Sequence, residues 1–381
     1  MASIFAAGCV VLSDSVRFFL MKILARLLWV ALFLAFVNLF AAESVNRGRY
    51  FLGITDFSDW DKSWDRARGQ LIVKSPLIRS VVEFDELVPS WNVEGEVCCS
   101  LSVEVLVGDR WAGPYSFGHW SRGEFAAGRT SVNGQKDEIG QVSTDTLILT
   151  RPARVVRLRM ILQPADVGVE SLKLVGLSFT DTKAVPVPLV SDRRAWGKEL
   201  SVPRICQLDF KGGEVWCSPA SVSMVLAYWA NQLSRPELRK PVPQVAAEIF
   251  DPGWNGTGNW SFSTAYAGAF SGIRGLVVRL SDSVELEAFI LAGIPLSVSV
   301  AYDVLKGMER RGSDGHLVVC VGFDRDGDIV VNDPAKSPQV HWVYPREAFV
   351  KAWAYSKNTA YLIYPETQAL PPDSSLLWSV Q

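Results

Sequence analysis

Between residues 44 and 182, apolar and polar positions alternate with a period of two. Leu101, Val103, Val105 and Val107 are interleaved with Ser102, Glu104 and Leu106, and Val156, Leu158, Met160 and Leu162 with Arg157, Arg159 and Ile161. Successive strand side chains point to opposite faces, so this pattern predicts half-buried antiparallel strands. Gly108-Asp109 and Asn133-Gly134 punctuate the runs as turns. No helical period emerges, and an all-β sandwich domain over 44–182 is expected. From residue 204 the pattern changes. Val222, Val225, Leu226 and Trp229 fall at helical spacing, and 284–292 reads as a helix closed by Gly293, where a left-handed cap sits. Residues 295–301, 317–323 and 329–331 read as strands, and 346–353 as a short helix. Helices early and strands late predict an α+β domain over 204–366. Pro186, Pro188 and Pro203 mark 183–203 as a semi-extended linker, and Pro371-Pro372 opens a loose tail over 367–381.

The N-terminus reads differently. Lys22 and Arg26 precede an apolar run at 27–40, and Ala41-Ala42-Glu43 follows. A positive start, a short apolar run and a small-residue exit are the signature of a secretory signal peptide. The run has 14 residues, short of the roughly 20 that cross a bilayer as a helix. Residues 1–42 are therefore expected to be an export signal, with 1–20 an over-extended start before Met21. Leu39 and Phe40 suit a cleavage site poorly, so an uncleaved anchor is the alternative, and the only membrane contact expected. A secreted or envelope location follows in either case.

Composition narrows the functions. The 381 residues are 49% hydrophobic and 20% charged, with Lys+Arg 38 against Asp+Glu 40, an ordinary globular balance. A net charge of −2 speaks against nucleic acid as a partner. There are three histidines, His119, His316 and His341, and six cysteines. No Cys-x-x-Cys or His-x-x-x-His spacing occurs, so no metal or other cofactor is expected. Losing Cys9 with the signal leaves an odd number of cysteines, hence a free thiol. Cys98 and Cys99 are adjacent and point to opposite faces, so they do not pair with each other. Cys206 and Cys320 are expected as two buried thiols, a bridge between them being the alternative.

Among these few residues, Cys217 stands out. It begins the Val222 helix in Glu214-Val215-Trp216-Cys217-Ser218-Pro219-Ala220, with Pro219 suited to the first turn. A thiol there feels the positive end of the helix dipole, which favours the thiolate; a buried structural cysteine is the other reading. Gln207, ten residues earlier, carries an amide that could donate to an oxyanion. His316 follows a glycine turn and opens a strand, and Asp333 ends the next strand, 17 residues on. The hairpin through Asp324-Arg325-Asp326-Gly327-Asp328 brings Asp333 back beside His316, where an acceptor could fix the imidazole. That acidic stretch lacks the distal glutamate of a calcium loop and reads as a turn. Trp254-Asn255-Gly256-Thr257-Gly258-Asn259-Trp260 is either a cleft wall, with Trp216, Trp254, Asn259 and Trp260 as substrate contacts, or the start of a packed helix. Trp60, Trp64, Trp91, Trp111 and Trp120 are either packing residues or an aromatic platform for an envelope glycan or peptide. His119 reads as structural.

Glutamine, cysteine at a helix start, histidine at a strand start and aspartate after the next strand is the papain-like order. Residues 204–364 resemble exported bacterial proteins with a peptidase domain of the bacteriocin-leader (double-glycine) processing type. The likeness rests on Gly213-Glu214-Val215-Trp216-Cys217-Ser218-Pro219, Gly258-Asn259-Trp260, Gly293-Ile294-Pro295, Gly315-His316-Leu317 and Val331-Asn332-Asp333-Pro334. The preceding domain, with Pro89-Ser90-Trp91-Asn92, resembles the module found before such peptidases. The resemblance implies a papain-like fold and a cysteine peptidase. In that family pattern Cys217 is the nucleophile, His316 the base and then acid, Asp333 the residue orienting it, and Gln207 with the Cys217 N–H the oxyanion hole. Asn332 is the alternative orienter. Ser218, where many relatives carry Gly or Ala, is expected to narrow the site. True leader peptidases of this type are joined to a transporter and act in the cytoplasm, so leader cleavage is not carried over. The expected substrate is an extracytoplasmic peptide or amide. Two alternatives share the site: a peptide- or glycan-binding protein without turnover, and an acyl (isopeptide) transferase working through the same thioester.

Overall fold

The computed structural model describes residues 48–123, 128–164, 168–185, 187–310, 315–371 and 378–380. The export signal expected over 1–42 lies outside them. Among the described residues no helix is long and apolar enough to cross a membrane.

The N-terminal domain consists of β1 (Arg49–Ile54), β2 (Asp61–Asp65), β3 (Gln70–Lys74), β4 (Ile78–Val93), β5 (Cys98–Val107), β6 (Arg110–Trp120), β7 (Gly140–Ser143), β8 (Thr146–Gln163) and β9 (Leu172–Thr180). In β5 every second residue is buried, from Cys99 to Val107, as the period-two pattern predicts. The strands do not separate into two unconnected sheets. With the C-terminal strand β16 (Trp378–Val380) they form one network of order β16-β1-β9-β4-β8-β3-β2, with β5 and β7 also paired to β8. The cause is strand length: β4 has 16 residues and β8 has 18, enough for β8 to pair first with β4 and β7 and then with β3 and β5.

The C-terminal domain contains α1 (Cys217–Gln232), α2 (Val242–Ile249), α3 (Trp260–Gly268), β10 (Ile273–Arg279), α4 (Ser283–Leu291), β11 (Leu296–Ala301), α5 (Tyr302–Leu305), β12 (Gly315–Phe323), β13 (Ile329–Asn332), β14 (His341–Tyr344), α6 (Arg346–Trp353) and β15 (Thr359–Pro365). Its six strands form an antiparallel sheet of order β10-β15-β11-β12-β13-β14. Helix α1 is buried on all sides from Ser218 to Ala230, as befits the central helix of a domain. Ser221 Oγ donates to the Leu317 carbonyl at 3.3 Å and ties α1 to β12.

Two expectations about connections are corrected. The tail is not loose throughout: β16 (Trp378–Val380) pairs in parallel with β1, covering an edge that would otherwise offer unpaired backbone groups. Nor is the linker free along its length. The buried Glu287 of α4 accepts the Asp192 N–H (2.7 Å), the Trp196 indole N–H (2.9 Å) and the Arg346 guanidinium (2.6 Å). An ionised group in the interior needs such partners, and meeting that need straps residues 192–196 to the domain.

Residues 44–381 form one compact unit. Phe262 of α3 is fully buried, with Trp120 at 5.4 Å and Trp91 at 6.3 Å between ring centroids. Asn92 Nδ2 donates to the Gly275 carbonyl at 2.7 Å, and the Gly275 N–H donates back to Asn92 Oδ1 at 3.1 Å. Gly268 is needed there, because a β-carbon on it would lie 2.1 Å from the Asn92 amide. Arg279 reaches Glu86 at 2.5 Å, and Arg129 donates to the carbonyls of Phe250 (2.8 Å) and Ala247 (2.7 Å). Trp91 and Trp120 are thus interface residues, and Trp60 is core. Of the five tryptophans offered as a platform, Trp64 and Trp111 alone are exposed, and Arg157 covers Trp111 at 4.6 Å.

Phe262→Ala is expected to cost about 3–5 kcal/mol and to destabilise both domains together. Denaturant unfolding followed by tryptophan fluorescence and by circular dichroism should give one coincident transition; separate transitions would contradict a shared core.

Candidate active site

Helix α1 starts at Cys217, with Trp216 as its N-cap residue at φ −103°, ψ 33°. The half-buried thiol therefore sits at the positive end of a 16-residue helix. His316 is the second residue of β12 and pairs across to Val300 of β11. A β-carbon on Gly315 before it would lie 2.7 Å from the Tyr355 hydroxyl, which would have to shift. The β12–β13 hairpin, irregular between Cys320 and Gly322, returns the chain so that His316 Nε2 meets Asp333 Oδ1 at 2.7 Å. With one ring nitrogen so occupied, the other is left to face Cys217, and the two groups interact electrostatically.

Asp333 is 0% exposed and fully supplied with donors. Besides His316, Oδ1 accepts the Ala335 N–H at 3.0 Å, and Oδ2 accepts the Tyr344 hydroxyl at 2.8 Å. Asn332, the alternative orienter, turns away: its Nδ2 donates to the Val202 carbonyl at 3.2 Å. Burial alone would raise the Asp333 pKa, but bonds from His316, Tyr344 and Ala335 hold it below the ordinary value. Burial would likewise lower His316, yet Asp333 and Cys217 raise it to about 9. For Cys217 burial pushes the thiol up, and His316 with the Leu317 and Ser218 N–H groups brings it net below its usual value. The three shifts agree in direction: each favours a thiolate beside an imidazolium.

Gln207 lies on this site in an arrangement other than the one expected. Its Nε2 donates to the carbonyls of Gly213 (2.8 Å) and Glu214 (3.0 Å), which uses both amide hydrogens. The Gly213–Val215 turn folds directly over it; a β-carbon on Gly213 would fall 1.8 Å from the Gln207 carbonyl oxygen. Ser218 is also corrected. It is 1% exposed and points inward, 2.9 Å from Ser263 Oγ and 3.1 Å from the Tyr361 hydroxyl, so it does not narrow the cleft. Ser263 Oγ donates to the Asn259 carbonyl at 2.9 Å. That fixes the direction of the chain, because a carbonyl only accepts: Tyr361 donates to Ser218, Ser218 to Ser263, and Ser263 to Asn259.

The glycine-rich stretch leads into a packed helix, the second of its two readings. Asn259 is 1% exposed and caps α3, its Oδ1 accepting the Phe262 N–H at 3.1 Å and its Nδ2 donating to Asp251 at 2.9 Å. Trp260 packs on the core and gives its N–H to Asp145 of the N-terminal domain at 2.7 Å. Asn259 is therefore buried as a helix cap, out of reach of a substrate, and Trp260 is an interface residue that stays partly exposed. Trp254 is 47% exposed and lies against Gly256 and Gly258, and Thr257 Oγ1 holds the loop to the Val215 carbonyl at 3.1 Å. Trp254 and the half-buried Trp216 thus flank the turn that leads into Cys217. The acidic turn serves itself, Asp324 Oδ1 accepting the N–H groups of Asp326 (3.0 Å) and Asp328 (2.8 Å). Two residues were missed altogether: Tyr344, and Tyr302, whose ring lies 4.2 Å from that of His316. Nothing in their local pattern marks them, because only the sheet brings β14 and α5 to the histidine.

A half-buried thiol at a helix start, facing a histidine on an antiparallel sheet, defines the class: a papain-like cysteine peptidase. Residues 199–361 match the model of the Peptidase C39 like family, and residues 44–177 that of the Peptidase C39 N-terminal domain. The chain belongs to the C39-like cysteine peptidases. A crystal structure described as a C39-like peptidase from Bacillus anthracis is 18% identical, covering 44% of this chain and 98% of that one with a TM-score of 0.34. No curated protein matches the chain.

All five cysteines among the described residues are unbridged. Burial raises the thiols of Cys98, Cys99 and Cys320, the last to about 12, whereas that of Cys217 is lowered. Iodoacetamide at neutral pH is expected to modify Cys217 first, Cys98 slowly, and Cys99 and Cys320 only on unfolding, as read by peptide mass mapping. His316→Ala should slow Cys217 labelling at least about tenfold.

Proposed function

We propose that the chain is an exported cysteine peptidase or amide hydrolase working through Cys217, His316 and Asp333. The observation that carries this reading is the continuous line from the Cys217 thiol through His316 to the buried Asp333 carboxylate, 2.7 Å from the imidazole. The Cys217 thiolate attacks the carbonyl carbon of a peptide bond, and the tetrahedral oxyanion is held by the Cys217 N–H at the start of α1. His316, as imidazolium, protonates the departing amine and leaves a thioester. Neutral His316 then takes a proton from water, whose oxygen attacks the thioester and releases acid and thiolate. Asp333 keeps the ring oriented and stabilises its charged form without itself taking the proton. Gln207 can join the oxyanion hole only by releasing a carbonyl of the turn before Cys217.

The substrate is proposed to be an extracytoplasmic peptide. The sequence of residues 21–42 supports export, and Trp216 and Trp254 supply apolar surface beside the nucleophile.

Peptide-library digestion with wild-type protein and Cys217→Ala tests the activity: cleavage by the first and none by the second is expected, and equal product from both would refute it. Added amines should leave hydrolysis dominant; predominant amide exchange would instead mark a transferase. The kcat/KM profile should be a bell. Its acid limb follows thiol ionisation below the usual cysteine value, and activity falls above about 9 as His316 loses its proton. Gln207→Ala should lower kcat by less than the roughly 10²–10³-fold typical of a dedicated oxyanion donor.

A further inference from the structure

We propose that Tyr344 is a positioning residue of this site, fixing the Asp333 carboxylate through Oδ2 so that Oδ1 is held for His316. The proposal rests on the Cys217–His316–Asp333 reading above and extends it to a residue on the edge strand of the sheet. Tyr344 ends β14 and is buried. Its ring would serve the core equally well as phenylalanine, and a buried hydroxyl is unfavourable unless bonded. Its single O–H is directed at Asp333 Oδ2, 2.8 Å away, as a charge-assisted bond. Oδ1 already accepts His316 and the Ala335 N–H. Among the described residues Tyr344 is thus the donor to Oδ2, and without it that oxygen would be buried and unsatisfied.

The charged and titratable groups around the pair come from every packed element. Cys217 faces His316 from α1, the Tyr302 ring of α5 lies tilted against it at 4.2 Å, and Lys306 lies over Tyr302 at 4.2 Å. Lys336 lies 6.0 Å from the Tyr344 ring and 4.6 Å from that of Trp342. Within this set Tyr344 is a neutral donor: burial and then the Asp333 charge push its own ionisation far above the usual value. Removing the hydroxyl frees the carboxylate to rotate away from the imidazole N–H, which weakens the His316–Asp333 bond and with it the imidazolium and then the thiolate. The bell should narrow from both sides, a change that loss of packing alone would not produce.

The test is the pH dependence of Cys217 alkylation and of kcat/KM in wild type, Y344F, D333N and the double variant. Y344F is expected to move the acid limb up and the alkaline limb down, with kcat/KM at neutral pH reduced about tenfold, chiefly in kcat. In the D333N background, Y344F should add no further shift of either limb. An ortho-fluorotyrosine at position 344 keeps the shape and strengthens the donor, so it should broaden the bell; it carries the test if Y344F does not fold. Limbs unmoved in Y344F or the fluorinated protein, or an equal shift in the D333N background, would overturn the proposal. Wild-type Cys217 reacting no faster than Cys98 would instead refute the reading on which it rests.

Discussion

Asp333 is a carboxylate with no exposure to water, held in its charged form by three donors from three different segments. Burial of an unpaired charge is among the costliest things a fold can do, so the surroundings of Asp333 are strongly constrained. The hairpin must bend, with its irregularity between Cys320 and Gly322, to return the carboxylate to His316. Strand β14 must lie on the outside of β13, pairing Tyr344 with Ile329, for the tyrosine hydroxyl to come within reach. Residue 335 must follow Pro334 in a tight turn, its N–H on Oδ1 and the Lys336 N–H on the Asp333 carbonyl at 3.1 Å. Thiol reactivity is downstream of this arrangement, because the thiolate is favoured only while the imidazolium is.

The N-terminal domain shares the load. Helix α3 has no solvent face: its residues from Ser261 to Gly268 are buried, between β4 of one domain and β10 of the other. Its N-terminus is held by Asp145, which burial raises to about 6 despite the bond from the Trp260 N–H. Ser131 of the same domain donates to Asp251, which in turn anchors the Asn259 cap. From Asn259 the hydroxyl chain runs through Ser263 to Ser218, the residue after Cys217. The helix that Cys217 begins and the β-rich domain are thus tied through one short helix, with Ser218 turned inward.

Much of this was legible beforehand, for definable reasons. The strands β5 and β8 alternate because one face is core, and α6 reads as Arg346–Trp353 in both sequence and structure. The strands β10 and β15 were not read, because a strand buried on both faces loses its alternation. Of helix α3 the entry was legible and the extent was not, because it has no polar stripe. Asn259 was misread as a substrate contact, although Asn before an apolar run is also a common helix cap. Where the amide hydrogens of Gln207 go depends on the carbonyls of the turn at Gly213 and Glu214, and no side-chain pattern encodes those.

The sequence by itself determined the fold class and the family, and it narrowed the candidates for the chemistry to a few side chains. It could do so because periodicity, capping and the scarcity of Cys and His are local properties. The tertiary structure alone decided which groups stand around the histidine, which serine or tryptophan turns inward, and that the tail from residue 378 returns to β1. Those are contacts between residues far apart in the chain, such as Asn92 with Gly275 or Ser218 with Tyr361. They are set by sheet order and helix packing, which no single stretch of sequence specifies.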